Sequence, residues 1–249
     1  MSLRPIQRGQ RPGARPPVLS LTLLRGFQLE SHGKDIELPL GSQRLVAFLA
    51  VHRRPLQRVF VAGNLWLDHG EERANASLRT ALWRIRRLGL PLVDATRNQL
   101  QLARSVQVDL YESEARARAL IHDDDPVHAA HDLVLDGEVL ADWYDDWVML
   151  ERESYRQLRL QALETLCRRL VLAGAHALAI EVGLACVSAE PLRESAHRAL
   201  IEAHCSQGNV IEGARQYALL RRLLADQLGI EPSPATQELV KTLPAVTIP

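Results

Sequence analysis

The stretch Arg73-Ala-Asn-Ala-Ser-Leu-Arg-Thr-Ala-Leu-Trp-Arg-Ile-Arg-Arg-Leu88 decides the fold of the first half of this chain. Read as a helix, it places Leu78, Leu82 and Ile85 on one face, because these residues recur at i, i+4 and i+7. An apolar face of this kind docks on the core of a protein. The sequence therefore predicts one amphipathic helix across most of this stretch.

The opposite face of the predicted helix is basic. Thr80, Trp83 and Arg87 point away from the apolar face, and Arg79 and Arg84 flank them. Guanidinium groups are well suited to phosphates and to the edges of guanine. On its own the helix leaves two interpretations open: a DNA-recognition helix, or a solvated helix whose arginine stems cover apolar surface.

The segments around this helix are short and prone to form strands. Before it lie Val18–Leu24, Gly26–Leu29 and Ile36–Leu40, separated by turn residues, and they predict a small antiparallel sheet. After it, Leu92–Val93 and Leu100–Leu102 can pair as a hairpin around a polar turn. We expect this hairpin to form a wing beside the basic helix.

Two further helices are predicted between the sheet and the basic helix. Residues 42–52 have helical apolar spacing, with Ser42 as the predicted N-cap and Pro55 blocking continuation. Residues 57–66 form the second. The order of sheet, three helices and hairpin predicts an α+β winged helix with an added N-terminal antiparallel sheet, in which the third helix enters the major groove.

From Tyr111 onward the pattern is helical. Leu166 and Leu200, and likewise Gly174 and Gly208, are related by an offset of 34 residues. A helix-pair period of 34 residues is typical of tetratricopeptide repeats. We therefore predict an all-α tetratricopeptide-like domain with helix pairs at 111–121 with 126–135, 158–172 with 175–187, and 193–207 with 210–227.

The charge divides the chain into two halves. Residues 1–110 carry 17 lysines and arginines against 8 acids, a net charge of +9, and residues 111–249 carry 13 against 22, a net charge of −9. Only the first half suits a polyanion. The predicted organisation is a disordered basic tail at 1–17, a DNA-binding domain at 18–108, a helical domain at 109–243 and a tail at 244–249.

Several motifs resemble those of one family. They are Leu65-Trp66, Ala76–Leu88, Val108-Asp109, Leu135–Leu140, Trp147 with Glu151-Arg152, Pro191-Leu-Arg-Glu-Ser-Ala-His197 and Leu228-Gly-Ile-Glu-Pro-Ser-Pro234. With these motifs the chain resembles the Streptomyces antibiotic regulatory protein (SARP) family of transcriptional activators. Members join an OmpR-type winged helix to a bacterial transcriptional activation domain of tetratricopeptide type.

The resemblance implies a pathway-specific activator that binds direct repeats near a promoter, with a homodimer on the two repeats. It also implies contacts with RNA polymerase holoenzyme, through the sigma factor and other subunits. In that family the loop before the recognition helix faces the polymerase. In this chain the loop comprises Leu67, Asp68, His69, Gly70, Glu71 and Glu72.

Two features depart from the family's usual pattern. The predicted wing turn Thr96–Gln99 lacks the frequent glycine-aromatic turn, and Trp83 stands where a small polar residue is more usual. For Trp83 two roles stay open: contact with a sugar or a thymine methyl group, or packing against the body of the domain.

The candidate DNA contacts are exposed basic or polar side chains of the winged helix. Which arginine reads a base and which holds a phosphate does not follow from spacing. For the residues at the start of the second helix, structural or solvated roles are equally consistent with the sequence. The candidates are Arg79, Thr80, Trp83, Arg84 and Arg87 in the basic helix, Arg97 in the wing, and Arg53, Arg54 and Arg58.

No catalytic motif stands out: the chain lacks a P-loop, a glycine-rich strand-to-helix turn, an HExxH motif and a nucleophile elbow. We therefore expect no enzyme, no cofactor and no metal, and we interpret Asp123–Asp125 with the nearby histidines as a solvated loop. No apolar run reaches the ~20 residues of a membrane span, so we expect a cytoplasmic protein on the bacterial nucleoid.

A second class of function is compatible with the same pattern. The chain could be a tetratricopeptide adaptor whose winged helix binds protein without specific DNA binding. The basic first half and the arginine face favour promoter DNA as the partner.

Overall fold

The structure is a computed structural model that describes residues 19–122, 126–131, 135 and 137–241. Both predicted tails and the segment Asp123–Asp125 lie outside the described residues. The described chain divides into two compact units. The first comprises residues 19–23 and 27–109, and the second comprises residues 24–26 together with those from Leu110 onward.

The first unit combines short strands with three helices. Its elements in chain order are β1 (Leu19–Thr22), β2 (Gln28–Ser31), β3 (Lys34–Asp35), α1 (Leu40–His52), β4 (Leu56–Gln57), α2 (Arg58–Leu65), α3 (Glu71–Arg87), β5 (Val93–Ala95), β6 (Gln99–Leu102) and β7 (Val106–Val108). This is the order of sheet, three helices and hairpin that the sequence predicts.

The strands form two small sheets. In the first, with order β3-β2-β1-β7, Leu21 of β1 lies opposite Leu29 of the antiparallel β2, and β1 runs parallel to β7. In the second, with order β4-β6-β5, β6 pairs antiparallel with both neighbours. Strands β4 and β7 were not predicted, because two or three residues are too few to show an alternating pattern.

The predicted strand Ile36–Leu40 is wrong. Strand β3 ends at Asp35, and although the Ile36 amide still donates to the Leu29 carbonyl at 2.8 Å, Leu40 already belongs to α1. Pro39 is the N-cap of α1 and has extended backbone angles. A proline cannot donate to a sheet ladder but fits just before a helix, so the segment leaves the sheet at this point.

Ser42 is not the N-cap of α1, as the sequence suggested, but lies inside the helix and is fully buried. Its hydroxyl donates to the carbonyl of Ala81 at 3.3 Å and so ties α1 to α3. The helix ends at Arg53, whose φ of 53° and bond from its amide to the Leu49 carbonyl form a left-handed cap.

Helix α3 buries the predicted apolar face. Leu78, Leu82 and Ile85 are each no more than 4% exposed, and Ala74 and Ala81 are buried beside them. The helix packs against both α1 and α2. Because full burial of a leucine or isoleucine side chain contributes about 1.5–3 kcal/mol, this face fixes the rotation of α3 about its axis.

The described residues of the second unit are mostly helical. The elements are α4 (Asp109–His122), α5 (Pro126–His131), α6 (Asp146–Leu172), α7 (His176–Ala189), α8 (Glu194–Ser206), α9 (Val210–Leu228) and α10 (Pro234–Lys241). The predicted bounds of α7, α8 and α9 are correct to within two residues. Helix α6 begins twelve residues before the predicted start at 158. Of the helix predicted at 126–135, residues 126–131 are helical, residues 132–134 lie outside the described residues, and Leu135 is not helical. Every described helix is too short or too polar to cross a bilayer.

The 34-residue repeat is visible in the turns that join the helix pairs. Gly174 and Gly208 both have left-handed φ angles, 74° and 86°. In the first turn the Ala175 amide donates to the Leu170 carbonyl at 2.9 Å. In the second turn, 34 residues further along, the Asn209 amide donates to the His204 carbonyl, also at 2.9 Å. The offset read from the sequence is thus a repeat of backbone geometry.

The motif Leu228–Pro234 leads into α10, and hydrogen bonds at its end attach α10 to α8. Glu194 at the start of α8 accepts hydrogen bonds from the amide and hydroxyl of Ser233 at 2.8 and 2.7 Å and from the hydroxyl of Thr236 at 2.6 Å. Although burial raises the pKa of Glu194, these bonds lower it below its usual value. An ionised carboxylate therefore holds α10 against α8.

A close helix contact in the repeat involves Gly183 of α7. A Cβ atom at this position would lie 3.1 Å from Leu200 Cδ1, 3.3 Å from Cys167 Sγ and 3.3 Å from the Leu200 backbone. Cys167 and Cys186 are buried in the same core, and burial raises the pKa of each thiol to about 12. Cys205 is only partly buried.

We predict that Gly183→Val lowers the free energy of unfolding of the second unit by about 1–3 kcal/mol, because the added methyl groups overpack the α7–α8 contact. The matched control is Ala185→Val, at an exposed position of the same helix, where only helix propensity changes, by less than about 1 kcal/mol. Urea titration followed by helical circular dichroism measures both. Equal midpoints for the two variants would contradict the packing described for α7.

Candidate nucleic-acid interface

The five candidate residues of the basic helix lie on the solvent face of α3. Arg79, Thr80, Trp83, Arg84 and Arg87 are all exposed, opposite the buried face. Within the interval from Arg73 to Arg87 no acid interrupts this surface. The rotation of the helix about its axis thus agrees with the prediction.

Trp83 does not pack against the body of the domain, so that alternative is wrong. Its side chain is 56% exposed, and the guanidinium carbon of Arg87 lies 4.8 Å from its ring centroid. A cation held over an aromatic face loses part of its rotamer freedom. The indole therefore holds Arg87 in one orientation on the solvent side of α3.

Thr80 lies between Arg79 and Trp83 on the same surface, but its hydroxyl proton is already used. The hydroxyl donates to the carbonyl of Ala76 at 3.0 Å, one turn earlier in the helix. In this orientation Thr80 presents its methyl group and its oxygen lone pairs to solvent. It can contact a thymine methyl group or accept a hydrogen bond without breaking that bond.

The wing is the turn between β5 and β6. The Thr96 amide donates to the Gln99 carbonyl at 3.0 Å, and the Gln99 amide donates to the Thr96 hydroxyl at 3.0 Å. These reciprocal bonds close the turn without a glycine. Arg97 stands exposed at its tip.

Arg58 supports the wing from the start of α2. Its Nε and Nη2 atoms donate to the Thr96 carbonyl at 3.2 and 3.0 Å, and its amide donates to the Asn98 carbonyl at 2.9 Å. The sequence leaves phosphate contact and a structural role open for Arg58. In the structure its guanidinium is turned towards the backbone of the wing, which makes it a positioning residue for Arg97.

Arg86 is a basic residue that sequence reasoning missed. Burial lowers the pKa of Arg58, and the nearby positive charge of Arg86 lowers it further. The end of α3 thus adds positive charge near the start of α2, where Arg58 supports the wing. Helical periodicity could not reveal this, because the closeness of Arg86 to Arg58 depends on how α2 and α3 pack.

Arg53 and Arg54 occupy the turn that follows α1, and both are exposed. Burial lowers the pKa of the neighbouring His52, a hydrogen bond to the Phe48 carbonyl partly offsets this, and the charge of Arg54 lowers the pKa further. A neutral His52 leaves the charge of this turn to the two arginines. Phosphate contact by these two arginines stays a prediction.

The predicted polymerase loop is shorter than expected. Leu67–Gly70 is an exposed non-helical segment in which Gly70 is the N-cap of α3, but Glu71 and Glu72 already lie in the first turn of that helix. Acids at a helix N-terminus are stabilised by the helix dipole. At 1.5 Å rise per residue, these acids lie about 24 Å along α3 from Arg87.

Among the described side chains, no group of three or more histidine, cysteine, aspartate or glutamate residues is arranged to hold a metal ion. The acidic segment Asp123–Asp125 lies outside the described residues.

Comparison with known proteins relates the chain to transcriptional regulators. Residues 108–243 match the family model of the bacterial transcriptional activator domain. The regulatory protein AfsR of Streptomyces coelicolor is 33% identical over 218 residues, covering 81% of this chain and 22% of that protein. AfsR of Streptomyces griseus is 29% identical over 228 residues, covering 86% of the chain and 23% of that protein. The chain thus spans about a fifth of the length of these relatives.

The fold is also found in a solved structure. Mycobacterium tuberculosis EmbR, in complex with a low affinity phosphopeptide, superposes with a TM-score of 0.74 at 21% identity, covering 90% of this chain and 64% of that one. Since the activator-domain match takes in more than half of the chain, the family assignment rests on sequence as well as on fold. The chain belongs to the bacterial transcriptional activator domain family, and its assignment to the SARP family of transcriptional regulators is confirmed.

Proposed function

We propose that this chain is a sequence-specific DNA-binding activator. In this proposal residues 18–108 form an OmpR-type winged helix that binds double-stranded promoter DNA at direct repeats. Residues 109–243 form the tetratricopeptide-like activation domain, and the protein recruits RNA polymerase holoenzyme to the promoter on the nucleoid. A homodimer, one copy on each repeat, accounts for the paired sites.

One observation carries the proposal: from Arg73 to Arg87 the exposed face of α3 carries arginines and no acid, and a buried apolar face fixes its rotation. Arg79, Arg84 and Arg87 can reach base edges or phosphates without first breaking an ion pair in the described structure. Arginine forks fit both guanine edges and phosphate oxygens. In this arrangement α3 enters the major groove and Arg97 of the wing meets the adjacent backbone.

The other end of α3 supports the contact with polymerase. The segment Leu67–Gly70 is exposed, including a leucine side chain that is 74% exposed, and Glu71 and Glu72 follow it directly. Like charges would keep these acids away from DNA phosphates. We assign this acidic end to RNA polymerase holoenzyme and the basic end to the operator.

The first experiment tests DNA binding itself. Footprinting on the neighbouring promoters should reveal two protected sites in the same orientation. Two sites in opposite orientation would contradict the direct-repeat part of the proposal. If a gel-shift assay detects no binding to any promoter fragment even at low salt, the activator proposal is wrong. The chain is then better explained as an adaptor whose winged helix binds only protein.

We predict that Arg87→Ala weakens operator binding about tenfold or more, since one bidentate guanine contact is worth about 1–3 kcal/mol. The control is Arg104→Ala, an exposed arginine between β6 and β7. Gel-shift titration at fixed salt measures both dissociation constants. Equal losses for the two variants would mean that only net charge matters.

Trp83→Ala should weaken operator binding about two- to fivefold, because an exposed cation–π contact is worth about 0.5–1 kcal/mol. Trp83→Phe, which keeps an aromatic face under Arg87, should retain most of the affinity. Identical dissociation constants for the alanine and phenylalanine variants would remove the positioning role of the indole.

Variants of the loop and variants of the basic face should have different effects on DNA binding and on transcription. We expect Glu71→Ala and Glu72→Ala to leave the gel-shift dissociation constant within about twofold and to lower transcription in vitro from the same promoter, because acids do not contact phosphates. Glu37→Ala, an exposed acid before α1, serves as the control. A loss of DNA binding in the loop variants would overturn this division between the two ends of α3.

A further inference from the structure

The second unit contains a cavity that the proposed function does not use. It has a volume of about 380 Å³ and lies along the first half of α6. Pockets for small molecules are typically about 300 Å³ or larger and mainly apolar, with a few polar groups that orient the ligand. Its apolar lining includes Met149, Leu160 and Ala189, and its basic lining is Arg152, Arg156 and Arg159.

The guanidinium of Arg152 is occupied by hydrogen bonds and an ion pair within the wall of this cavity. Its Nε donates to the Val139 carbonyl at 3.1 Å and lies 2.9 Å from a carboxylate oxygen of Glu138. Its Nη2 donates to the carbonyls of Leu140 and Trp143 at 2.6 and 3.0 Å. These bonds hold the segment before α6 in place, so Arg152 has a structural role.

The guanidinium of Arg156 is also paired with carboxylates. Its Nε and Nη2 each lie 2.8 Å from a carboxylate oxygen of Glu153, and its Nη1 donates to Glu190. Hydrogen bonds from Arg156, and then from Gln157, lower the pKa of Glu153 to about 2. The carboxylate therefore stays ionised at neutral pH, and Arg156 is already paired with Glu153 and Glu190.

Arg159 is different. In the part of the chain that the structure describes it has no hydrogen bond and no ion pair, and its Nε atom is buried without a partner. A buried donor without a partner is costly, and a charged one more so. Of the three arginines that line the cavity, Arg152 and Arg156 are paired with carboxylates, and Arg159 is the one without an ion pair among the described residues.

We propose that this cavity binds a small organic carboxylate with an apolar body, whose carboxylate pairs with Arg159. A single unmatched guanidinium fits a monoanion, and its planar fork matches the two oxygens of a carboxylate. The apolar side chains of Met149, Leu160 and Ala189 cover the hydrocarbon part. This ligand site is independent of DNA binding and assigns a receptor role to the helical unit.

The test uses the full chain and sodium octanoate as the probe, with neutral octanamide as the isosteric comparison. Isothermal titration calorimetry should give saturable binding of octanoate, at least tenfold tighter than binding of octanamide. In Arg159→Met, which keeps the apolar stem, the two probes should bind equally weakly. Arg159→Lys, which keeps the charge, should restore part of the preference for octanoate.

Arg168→Met is the matched control, because Arg168 is an exposed arginine of the same helix outside the cavity. It should keep the full preference for octanoate. A thermal melt without ligand checks folding: Arg159→Met should melt no lower than the wild type, because it removes an unpaired cation. Three results would overturn the proposal: no octanoate binding, equal binding of both probes by the wild type, or the same loss in Arg168→Met.

Discussion

The burial of one side of α3 is the constraint on which the proposed DNA-binding surface depends. Leu78, Leu82 and Ile85 pack against α1 and α2, and the Ser42–Ala81 hydrogen bond adds a polar link in the same contact. A helix rotated by one residue, about 100°, would expose leucines and bury arginines at a cost of several kcal/mol. The orientation of Arg79, Arg84 and Arg87 is therefore a consequence of core packing.

A second set of contacts turns this helix face into a surface. Arg58 holds the Thr96 carbonyl, so the wing is attached to α2, and α2 packs on α3. In the same region the indole ring of Trp83 makes a cation–π contact with the guanidinium of Arg87. Helix α3 and the wing are thus connected through α2. A ligand with regularly spaced phosphates matches such a surface better than a single anion does.

Periodicity and turn chemistry sufficed for the elements that carry strong local signals. They predicted the buried and exposed faces of α3, the hairpin after it, and the 34-residue turns at Gly174 and Gly208. They failed where tertiary contacts decide: the two-residue strand β4, the burial of Ser42 inside α1, and the role of Arg58 in supporting the wing. The long start of α6 was missed because Arg152 and its carbonyl partners, rather than helical spacing, organise that region. The unpaired Arg159 likewise becomes visible only once its neighbours are known.

The salt dependence of operator binding tests the central claim most directly. If the α3 face, the wing and the turn after α1 neutralise at least four phosphates, the logarithm of the binding constant should fall linearly with the logarithm of salt concentration, with a slope of about −3.6 or steeper. A titration of the intact protein on one promoter fragment, from low to physiological salt, supplies this slope. A slope near zero would contradict the account, because it would mean that the arginines of α3 do not contact the DNA backbone.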